Sequence, residues 1–389
     1  MSEQRKIFIN GQIITPTEVL DTGFYLMVKG SKIEHLGFMN ASSFPADAEI
    51  IDVSGQYISP GFIDVHVHGC MNYKSADASR EALEAMGKCY AAHGVTGYLP
   101  TVHADTEILK KLANLFDEGL PGTKPLGIHI EGPYLCMEKR GAQYPEHIWK
   151  CAPETLQSLI DASSGYLKQM TIAPEIDGAI PLIEMLVKRN IIASMGHTDA
   201  TYEQAMAGVK AGVSHATHTF NAMSVLSHRH PGTVGAALAC DSVAAEIITD
   251  GVHVHPEVVK ILVRAKPLRK VIPITDAIQT AGLPDGEYVQ DAKLGYTLNV
   301  RNGETYLNNT NTLAGSTLLM NNGINNLMKF AGLDMVEAIH CASLNPAIEL
   351  GLEHRKGTLE VGKDADIVLF DEDFKVQYTM VEGKVQFQA

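Results

Sequence analysis

Clusters of basic residues are missing from this sequence, and its charge is strongly acidic. The 389 residues include 31 Lys and Arg against 45 Asp and Glu, which gives a formal net charge of −14. Proteins that bind nucleic acid or an anionic membrane surface present basic patches, so this balance argues against both partners. Aromatic residues are also scarce, at 6% with one Trp, which does not favour a stacking platform for single-stranded nucleic acid. We expect an anionic small molecule, if one is bound, to depend on a few local cations.

Paired cysteines and long apolar runs are absent as well. The six cysteines are scattered, with no Cys-X-X-Cys pair: Cys70, Cys89, Cys136, Cys151, Cys240 and Cys341. In a chain of this length, such cysteines indicate reduced thiols rather than a disulfide framework. The N-terminal residues show no apolar run typical of a secretory signal, and no stretch approaches the roughly 20 apolar residues that span a bilayer. These absences predict a cytoplasmic protein without a membrane partner.

Both ends of the chain are rich in predicted β-structure. Residues 1–58 alternate short apolar runs with turns, among them Asn10-Gly11, which is a strong β-hairpin signal, and the turn at 29–31. Residues 351–389 repeat this pattern around further glycine-centred turns. The simplest interpretation is one small β domain built from both termini and interrupted by a large insertion.

The middle of the chain alternates short apolar runs with stretches that are apolar at helical spacing. We interpret eight of the runs as strands: 62–68, 94–101, 126–132, 169–175, 191–197, 213–219, 245–251 and 270–277. Eight strands that alternate with helices over roughly 250 residues are typical of a (β/α)8 barrel, the TIM-barrel fold. The predicted fold class is therefore α/β, with a barrel in residues 59–350 and the small β domain in 1–58 plus 351–389. A doubly wound open sheet is the alternative that periodicity leaves open.

Side chains that can bind metal gather at the ends of the predicted strands. They lie on five different strands: His66, His68, Glu131, His197, His218 and Asp276. In a (β/α)8 barrel the C-terminal ends of the strands open onto one face, where catalytic groups sit. Any one of these residues alone could be a structural histidine or a helix-capping carboxylate. Their joint placement favours a metal site, and imidazole with carboxylate suits Zn²⁺ or Fe²⁺.

Two loops have features of anion-binding segments. Residues 220–232 contain Arg229, and an arginine can hold a phosphate or carboxylate through a forked pair of hydrogen bonds. Residues 312–320 lead into a helix-like run, so backbone N–H groups could approach a ligand there. The alternatives are a solvated loop arginine and an ordinary helix start. His253, after the seventh strand, could touch a substrate, whereas we expect His103 at the surface.

Seven short segments carry recognisable motifs in a fixed order along essentially the whole chain: PGFIDVHVHG (60–69), GIHIEGPYL (127–135), MGHTDAT (195–201), THTFNAM (217–223), DGVHVH (250–255), ITDA (274–277) and LAGST (313–317). Together they resemble the amidohydrolase superfamily and, within it, the N-acetylglucosamine-6-phosphate deacetylase family. The first segment marks only the superfamily, whereas HIEGPYL, GHTDAT and FNAM followed by an Arg are far more specific. The resemblance implies a TIM-like barrel with a small β-sandwich domain, one or two divalent metal ions per subunit, and a homodimer.

The resemblance also implies roles for individual residues. The principal metal ligands would be Glu131, His197 and His218. A second metal position, which only some members keep, would be formed by His66 and His68. Asp276 would be the catalytic acid and base. The substrate contacts would be Ala142, Gln143, Asn221, Ala222, Arg229, His253, Leu313, Ala314 and Gly315, with Arg229 reaching the phosphate across the dimer interface.

The chain departs from part of the family at Gln143. Some members have a histidine there that helps to polarise the acetyl carbonyl. An amide donates a hydrogen bond but never carries the charge of an imidazolium. A second cation at His66 and His68 would supply Lewis acidity in its place.

The activity that the resemblance implies is metal-dependent hydrolysis of the acetamide of N-acetylglucosamine 6-phosphate, in amino-sugar catabolism. A divalent cation lowers the pKa of water to about 7 and stabilises a tetrahedral oxyanion. Asp276 would take the proton of the water and return it to the departing amine. One alternative is a cyclic amidase or dipeptidase of the same superfamily, which typically has a carboxylated Lys at the end of the fourth strand, where this chain has Glu175. The others are a non-catalytic scaffold and a protein that binds a sugar phosphate without turnover.

Overall fold

The N-terminal segment forms two layers of strands. The computed structural model describes residues 4–39, 44–292, 295–308 and 310–389. The first strands are β1 (Arg5–Ile9), β2 (Gln12–Ile14), β3 (Val19–Leu20), β4 (Phe24–Lys29), β5 (Lys32–Phe38), β6 (Glu49–Asp52) and β7 (Tyr57–Pro60). The predicted turn at 29–31 joins β4 and β5, which pair in antiparallel fashion. The first layer is a four-stranded sheet in the order β5-β4-β1-β6.

The hairpin predicted at Asn10-Gly11 is wrong. The chain does turn there, with a φ of +65° at Asn10, but β1 pairs with β4 and β6 whereas β2 pairs with β3 and β7. The two strands belong to different sheets because their apolar side chains, such as Phe8 and Ile13, fill one core between the sheets. Gly11 suits this crossing, since a Cβ there would lie 2.6 Å from Cγ2 of Val53.

The middle of the chain contains the strands that surround the candidate site. They are β8 (Phe62–Val67), β9 (Gly69–Cys70), β10 (Tyr73–Lys74), β11 (Val95–Val102), β12 (Lys124–Pro125), β13 (Ile128–Glu131), β14 (Leu167–Ile172), β15 (Ile192–Met195), β16 (His215–Ala216), β17 (Ala244–Ile248), β18 (Val271–Ile274), β19 (Gly286–Asp291), β20 (Tyr296–Arg301) and β21 (Glu304–Leu307). Parallel pairing runs from β8 to β11 and then through β13, β14, β15, β16, β17 and β18.

Hydrogen bonds just beyond the strand ends connect the last strand to the first. The backbone N–H of Asp276 donates to the carbonyl of His66 at 3.0 Å, and that of His68 donates to the carbonyl of Ala277 at 2.8 Å. These bonds bring β18 beside β8. The (β/α)8 barrel predicted from the sequence is therefore confirmed, and the open sheet is not the fold.

Helices follow the barrel strands. They are α1 (Arg80–Ala92), α2 (Thr106–Glu118), α3 (Pro153–Ala162), α4 (Ala179–Val187), α5 (Tyr202–Ala211), α6 (Gly232–Ala239), α7 (Pro256–Ala265), α8 (Met320–Ala331), α9 (Met335–Ala342) and α10 (Leu344–Glu349). Short 3-10 helices lie at Ser75–Asp77, Met137–Lys139, Pro145–His147 and Leu268–Lys270. Polar caps set several starts: Thr201 and Gln204 form a capping box at α5, and Asp105 accepts two N–H bonds at α2.

The C-terminal strands complete the second terminal sheet. They are β22 (Ile367–Phe370), β23 (Val376–Val381) and β24 (Lys384–Gln388). This six-stranded sheet has the order β24-β23-β22-β7-β2-β3, so it mixes strands from both ends of the chain. Ile58 and Ile367 of this sheet pack with Phe8 and Leu26 of the other. Both termini thus build the paired β-sheets; the division of the chain at 58/59 and 350/351 stays a prediction.

The three-stranded antiparallel sheet β19-β20-β21 was not predicted. It is inserted between β18 and α8. Its sequence signal is the alternating run from Tyr296 to Leu307 around Asn302-Gly303, the pair favoured in tight hairpin turns. Asn302 and Gly303 both have positive φ, at +53° and +76°, as a type I′ turn requires. Leu298 and Leu307 of this sheet line the cavity described next.

Candidate active site

A group of two imidazoles and one carboxylate lies at the C-terminal ends of β13, β15 and β16. Oε1 of Glu131 is 3.0 Å from Nε2 of His197 and 3.1 Å from Nε2 of His218, and the two Nε2 atoms are 3.1 Å apart. All three side chains are buried. Nδ1 of His197 lies 2.9 Å from the carbonyl oxygen of Lys139, which can only accept a hydrogen bond. A neutral imidazole with its proton at Nδ1 donates to this oxygen and keeps a lone pair at Nε2. The donor set fits a divalent cation such as zinc.

A second group lies beside the first. His66 and His68 on and after β8 approach each other through their Nε2 atoms at 3.2 Å, and these atoms lie 3.5 and 3.4 Å from Oδ1 of Asp276. Oε2 of Glu131 is 3.4 Å from Nε2 of His68, so Glu131 stands between the two groups. The structure thus brings together the six residues that the sequence singled out at five strand ends.

Three of these residues have left-handed backbone conformations. The φ angles are +48° at His197, +32° at His218 and +49° at Asp276. Such conformations are uncommon outside glycine and persist where surrounding bonds impose them. Both backbone polar groups of Asp276 form hydrogen bonds: its N–H donates to the carbonyl of His66, and its carbonyl accepts from the N–H of Ser316 at 2.8 Å. Each residue lies two positions beyond its strand, where the chain turns and directs the side chain over the barrel mouth.

The electrostatics of the two groups favour a bound positive charge. Burial would raise the pKa of Glu131, but the imidazoles of His197, His218 and His68 hold it well below its ordinary value. Burial likewise opposes ionisation of Asp276, yet His66 and His68 keep its pKa lowered. Buried carboxylates that remain ionised need cations or hydrogen-bond donors around them.

Gln143 bonds to Glu131. Its Nε2 donates to Oε2 of Glu131, on the side that faces the second group. The side chain also lines the cavity. This contact holds the carboxylate that lies between the two groups, and the role of Gln143 as a substrate contact stays a prediction.

The cavity above the two groups has a volume of about 290 Å³. The predicted residues that line it are His68, Glu131, Ala142, Gln143, His197, His218, Asn221, Ala222, His253, Asp276, Leu313, Ala314 and Gly315. His66 lies beneath its floor, fully buried. The segment 312–320 does not act as a helix start at this cavity, since α8 begins only at Met320 and the N–H of Ala314 donates to Thr305.

One of the histidines that line the cavity, His253, is held in place by an aspartate. Nδ1 of His253 is 2.6 Å from Oδ2 of Asp250, and Oδ1 of Asp250 accepts the backbone N–H groups of Val252 and His253. Burial lowers the pKa of His253, but the Asp250 carboxylate outweighs this effect and raises it above its ordinary value. His253 therefore presents to the cavity an imidazole that holds a proton more strongly than an ordinary histidine. Asp250 was not singled out from the sequence, although its place three residues before His253 could have indicated it.

The cavity lining also contains residues that the sequence analysis missed. His103, expected at the surface, instead lines the cavity and stacks on His147 with ring centroids 4.0 Å apart. Burial, with the neighbouring His147, lowers the pKa of His103 to about 4. Tyr144 stacks on Tyr296 of the unpredicted sheet, at 4.4 Å. These contacts depend on the β19-β20-β21 insertion and on a loop, so strand periodicity gave no signal for them.

Arg229 lies outside the cavity lining. It is exposed, on a loop whose residues 225–230 are all exposed. Within the part of the chain that the structure describes, it forms no hydrogen bond and no ion pair. A phosphate in this subunit's cavity is therefore not contacted by its own Arg229 in this arrangement.

Comparisons with known proteins agree with this geometry. Residues 57–386 match the model of the amidohydrolase family. The chain is 37% identical over 383 residues to an N-acetylglucosamine-6-phosphate deacetylase of Bacillus subtilis, covering 96% of this chain and 95% of the relative. It is 34% identical to an N-acetylgalactosamine-6-phosphate deacetylase of Escherichia coli O157:H7, covering 88% and 90%. A solved mutant of the Mycobacterium smegmatis N-acetyl-D-glucosamine-6-phosphate deacetylase, in complex with N-acetyl-D-glucosamine-6-phosphate, is 31% identical, covers 100% of both chains and superposes with a TM-score of 0.90. Among the described residues, no helix is long and apolar enough to cross a membrane.

Proposed function

Because this chain belongs to the amidohydrolase family, we propose that it hydrolyses the acetamide of N-acetylglucosamine 6-phosphate to glucosamine 6-phosphate and acetate. The observation that carries the proposal is the cavity, in which the Glu131 and Asp276 groups lie at the floor and His253 at one end. A hydrolytic centre and an anion-binding end in one cavity match a substrate with an amide and a phosphate. The relatives that cover nearly the whole chain act on this class of substrate, which does not favour a cyclic amidase, a dipeptidase or a non-catalytic scaffold.

The residues present fit a divalent cation. Glu131, His197 and His218 would hold the first ion, and His66, His68 and Asp276 a second; zinc or iron(II) suits imidazole and carboxylate ligands. A bound cation supplies Lewis acidity, which acidifies water and stabilises negative charge on the acetyl oxygen.

Asp276 is the residue that we propose moves the proton. Its carboxylate lines the cavity floor and remains ionised despite its burial, so it can accept a proton from water. The same carboxyl group would then donate this proton to the glucosamine nitrogen as the C–N bond breaks. Its backbone bonds to His66 and Ser316 fix the position from which it does so.

His253 and Arg229 are the groups that we propose bind the phosphate. The contact with Asp250 raises the pKa of His253, which favours its protonated form, and both His253 and Asn221 line the cavity. Arg229 is exposed and has no ion-pair partner among the described residues, which supports a contact with the cavity of a second copy in a homodimer. Asn221, Ala222, Leu313, Ala314 and Gly315 would then contact the sugar, with Ala142 and Gln143 near the amide. The six cysteines are free thiols, which supports a cytoplasmic location.

The test compares three substrates under the same conditions, with acetate release as the measurement. We expect a high kcat/KM for N-acetylglucosamine 6-phosphate and a value reduced at least a hundredfold for unphosphorylated N-acetylglucosamine, the loss of two charge-assisted contacts. N-Acetylgalactosamine 6-phosphate, which differs at one hydroxyl, tests the sugar contacts separately. Equal kcat/KM with and without the phosphate would contradict the assignment of the His253 end, and preference for the galactose epimer would contradict the assigned sugar.

A further inference from the structure

A carboxylate is fully buried inside the barrel, below the floor of the cavity. Glu246 on β17 has no exposed surface. Its Oε1 accepts a hydrogen bond from Nε2 of Gln169 on β14 at 2.6 Å, and its Oε2 lies 3.4 Å from Nδ1 of His66. Among the described residues, no Lys or Arg lies within ion-pair distance of it. Burial of a carboxylate in a barrel interior is costly unless positive charge or donors compensate for it.

The position of Glu246 determines how the His66 ring is used. When Nδ1 of His66 carries the proton and donates to Oε2 of Glu246, Nε2 presents its lone pair on the opposite side of the ring. That side faces Nε2 of His68 at 3.2 Å and Oδ1 of Asp276 at 3.5 Å. In this tautomer His66 can bind a cation through Nε2.

The first group has a different outer partner. His197 is held through Nδ1 by the backbone carbonyl of Lys139, a neutral acceptor. The second group has a carboxylate in the corresponding role, and an acceptor of this kind fixes the orientation of a metal-binding imidazole. The buried carboxylate of Glu246 needs a compensating positive charge. A divalent cation held by His66, His68 and Asp276 would supply it.

We propose that Glu246 is a positioning residue for a second divalent cation, which it favours by holding His66 through Nδ1. This inference rests on the proposed function only in that the enzyme is metal-dependent. Gln169 acts one step further out, because it fixes the other oxygen of Glu246. Glu246 affects only the ion at His66, His68 and Asp276. It has no part in binding the ion at Glu131, His197 and His218.

The experiment measures Zn²⁺ binding to the full chain by equilibrium dialysis and elemental analysis, after removal of metal with a chelator. We expect two ions per wild-type chain. Glu246→Gln keeps the size of the side chain and removes its charge, so affinity for the second ion should fall about ten- to a hundredfold, as is typical when such outer partners are lost. Affinity for the first ion should not change. His66→Ala should lose the same ion, and adding Glu246→Gln to it should cost nothing more, since the two residues act on one site.

A matched control is available in Glu349. Its Oε2 lies 3.8 Å from Nε2 of His215, which belongs to neither group, and its Oε1 pairs with Lys270 at 2.6 Å, so Glu349→Gln removes another carboxylate beside a histidine and should leave both ions bound. The melting temperature separates a structural role from a positioning role: Glu246→Gln should reduce the rise in melting temperature that Zn²⁺ causes, while the metal-free protein melts no lower than the wild type. If Glu246→Gln fails to fold, Gln169→Leu replaces it and should weaken the same ion by a smaller factor.

Unchanged affinity for both ions in Glu246→Gln, or equal loss of both, would overturn the inference. A wild type that releases acetate with only one bound ion would overturn the inference and leave the proposed function standing. A wild type with two bound ions and the expected variant behaviour, but no acetate release, would support the inference and overturn the proposed function.

Discussion

The contact between Asp250 and His253 allows a quantitative prediction for Asp250→Asn. Oδ2 of Asp250 lies 2.6 Å from Nδ1 of His253, and its charge is what raises the pKa of this buried imidazole above the ordinary value. Asparagine can still accept the backbone N–H groups of Val252 and His253, so the loop should keep its conformation. The substitution removes the charge alone, and burial then lowers the pKa of His253.

The expected effect follows from the protonation state of His253. In the wild type, the imidazolium is present below its raised pKa and is lost as the pH rises through that value, so KM for the phosphorylated substrate should rise with pH. In Asp250→Asn the same rise should begin at lower pH. Hydrogen bonds to charged groups contribute about 1.5–3 kcal/mol. At a pH where only the wild type holds the proton, KM should therefore be about 10- to 100-fold higher in the variant, at 1.4 kcal/mol per tenfold.

The assay is acetate release at increasing substrate concentration across a series of pH values, with N-acetylglucosamine 6-phosphate and with the unphosphorylated sugar. KM for the unphosphorylated sugar should hardly change, because that substrate lacks the group that His253 binds. Asp199→Asn is the matched control. Asp199 is exposed and pairs with Lys139 at 3.3 Å, and its substitution changes the net charge by the same amount as Asp250→Asn. A pH profile of KM that is identical in Asp250→Asn and the wild type would refute the reasoning.

Three further predictions concern Asp276, Arg229 and Asp364. Asp276→Asn should lower kcat about 10²- to 10⁴-fold, because an amide cannot carry the proton, while the ion at the Glu131 group stays bound in elemental analysis; near-normal turnover would exclude the role. Arg229→Ala should raise KM for the phosphorylated substrate about 30-fold or more and spare the unphosphorylated one; equal losses on both would mean that Arg229 holds the loop or the dimer. Asp364→Asn should lower the free energy of unfolding at neutral pH by about 3 kcal/mol, since it removes one of the two buried carboxylates that pair with the buried ammonium group of Lys356. Burial opposes ionisation of Asp364, but Lys32, Lys356 and Arg355 hold its pKa at about 2, so this stabilisation is present above the ordinary value and is lost as the pH falls toward 2; a stability difference that persists at low pH, in denaturant titrations, would contradict it.

Residues that lie on or just after regular strands were predictable. The period-two alternation of β8 placed His66 and His68 on one side, and each of the other ligand candidates follows an apolar run that became a barrel strand. The barrel then brings those ends together, so the two groups followed from the strand assignments. The left-handed turns at His197, His218 and Asp276 could not be predicted in this way. At His197 and Asp276 they involve backbone bonds to distant segments, and at His218 a bond to the loop residue Asn221.

Contacts made by loops and by paired sheets were not predictable from periodicity. Asn10-Gly11 forms a turn, but the pairing of β1 and β2 with other strands is decided by the core that the two sheets share. His103 lines the cavity beside His147, which stacks on it from the short 3-10 helix Pro145–His147. Glu246 sits in an apolar strand, and only the barrel shows that it faces His66 from across the interior.

Removal of the acetyl group from N-acetylglucosamine 6-phosphate should require divalent cations held at the barrel mouth. The most direct measurement follows acetate and glucosamine 6-phosphate from N-acetylglucosamine 6-phosphate, first with chelator-treated protein and then as Zn²⁺ is added back. We predict no release from the metal-free protein, and release of the two products in equal amounts that rises as Zn²⁺ binds. Undiminished release by the metal-free protein, or no release by the zinc-loaded protein, would contradict the account.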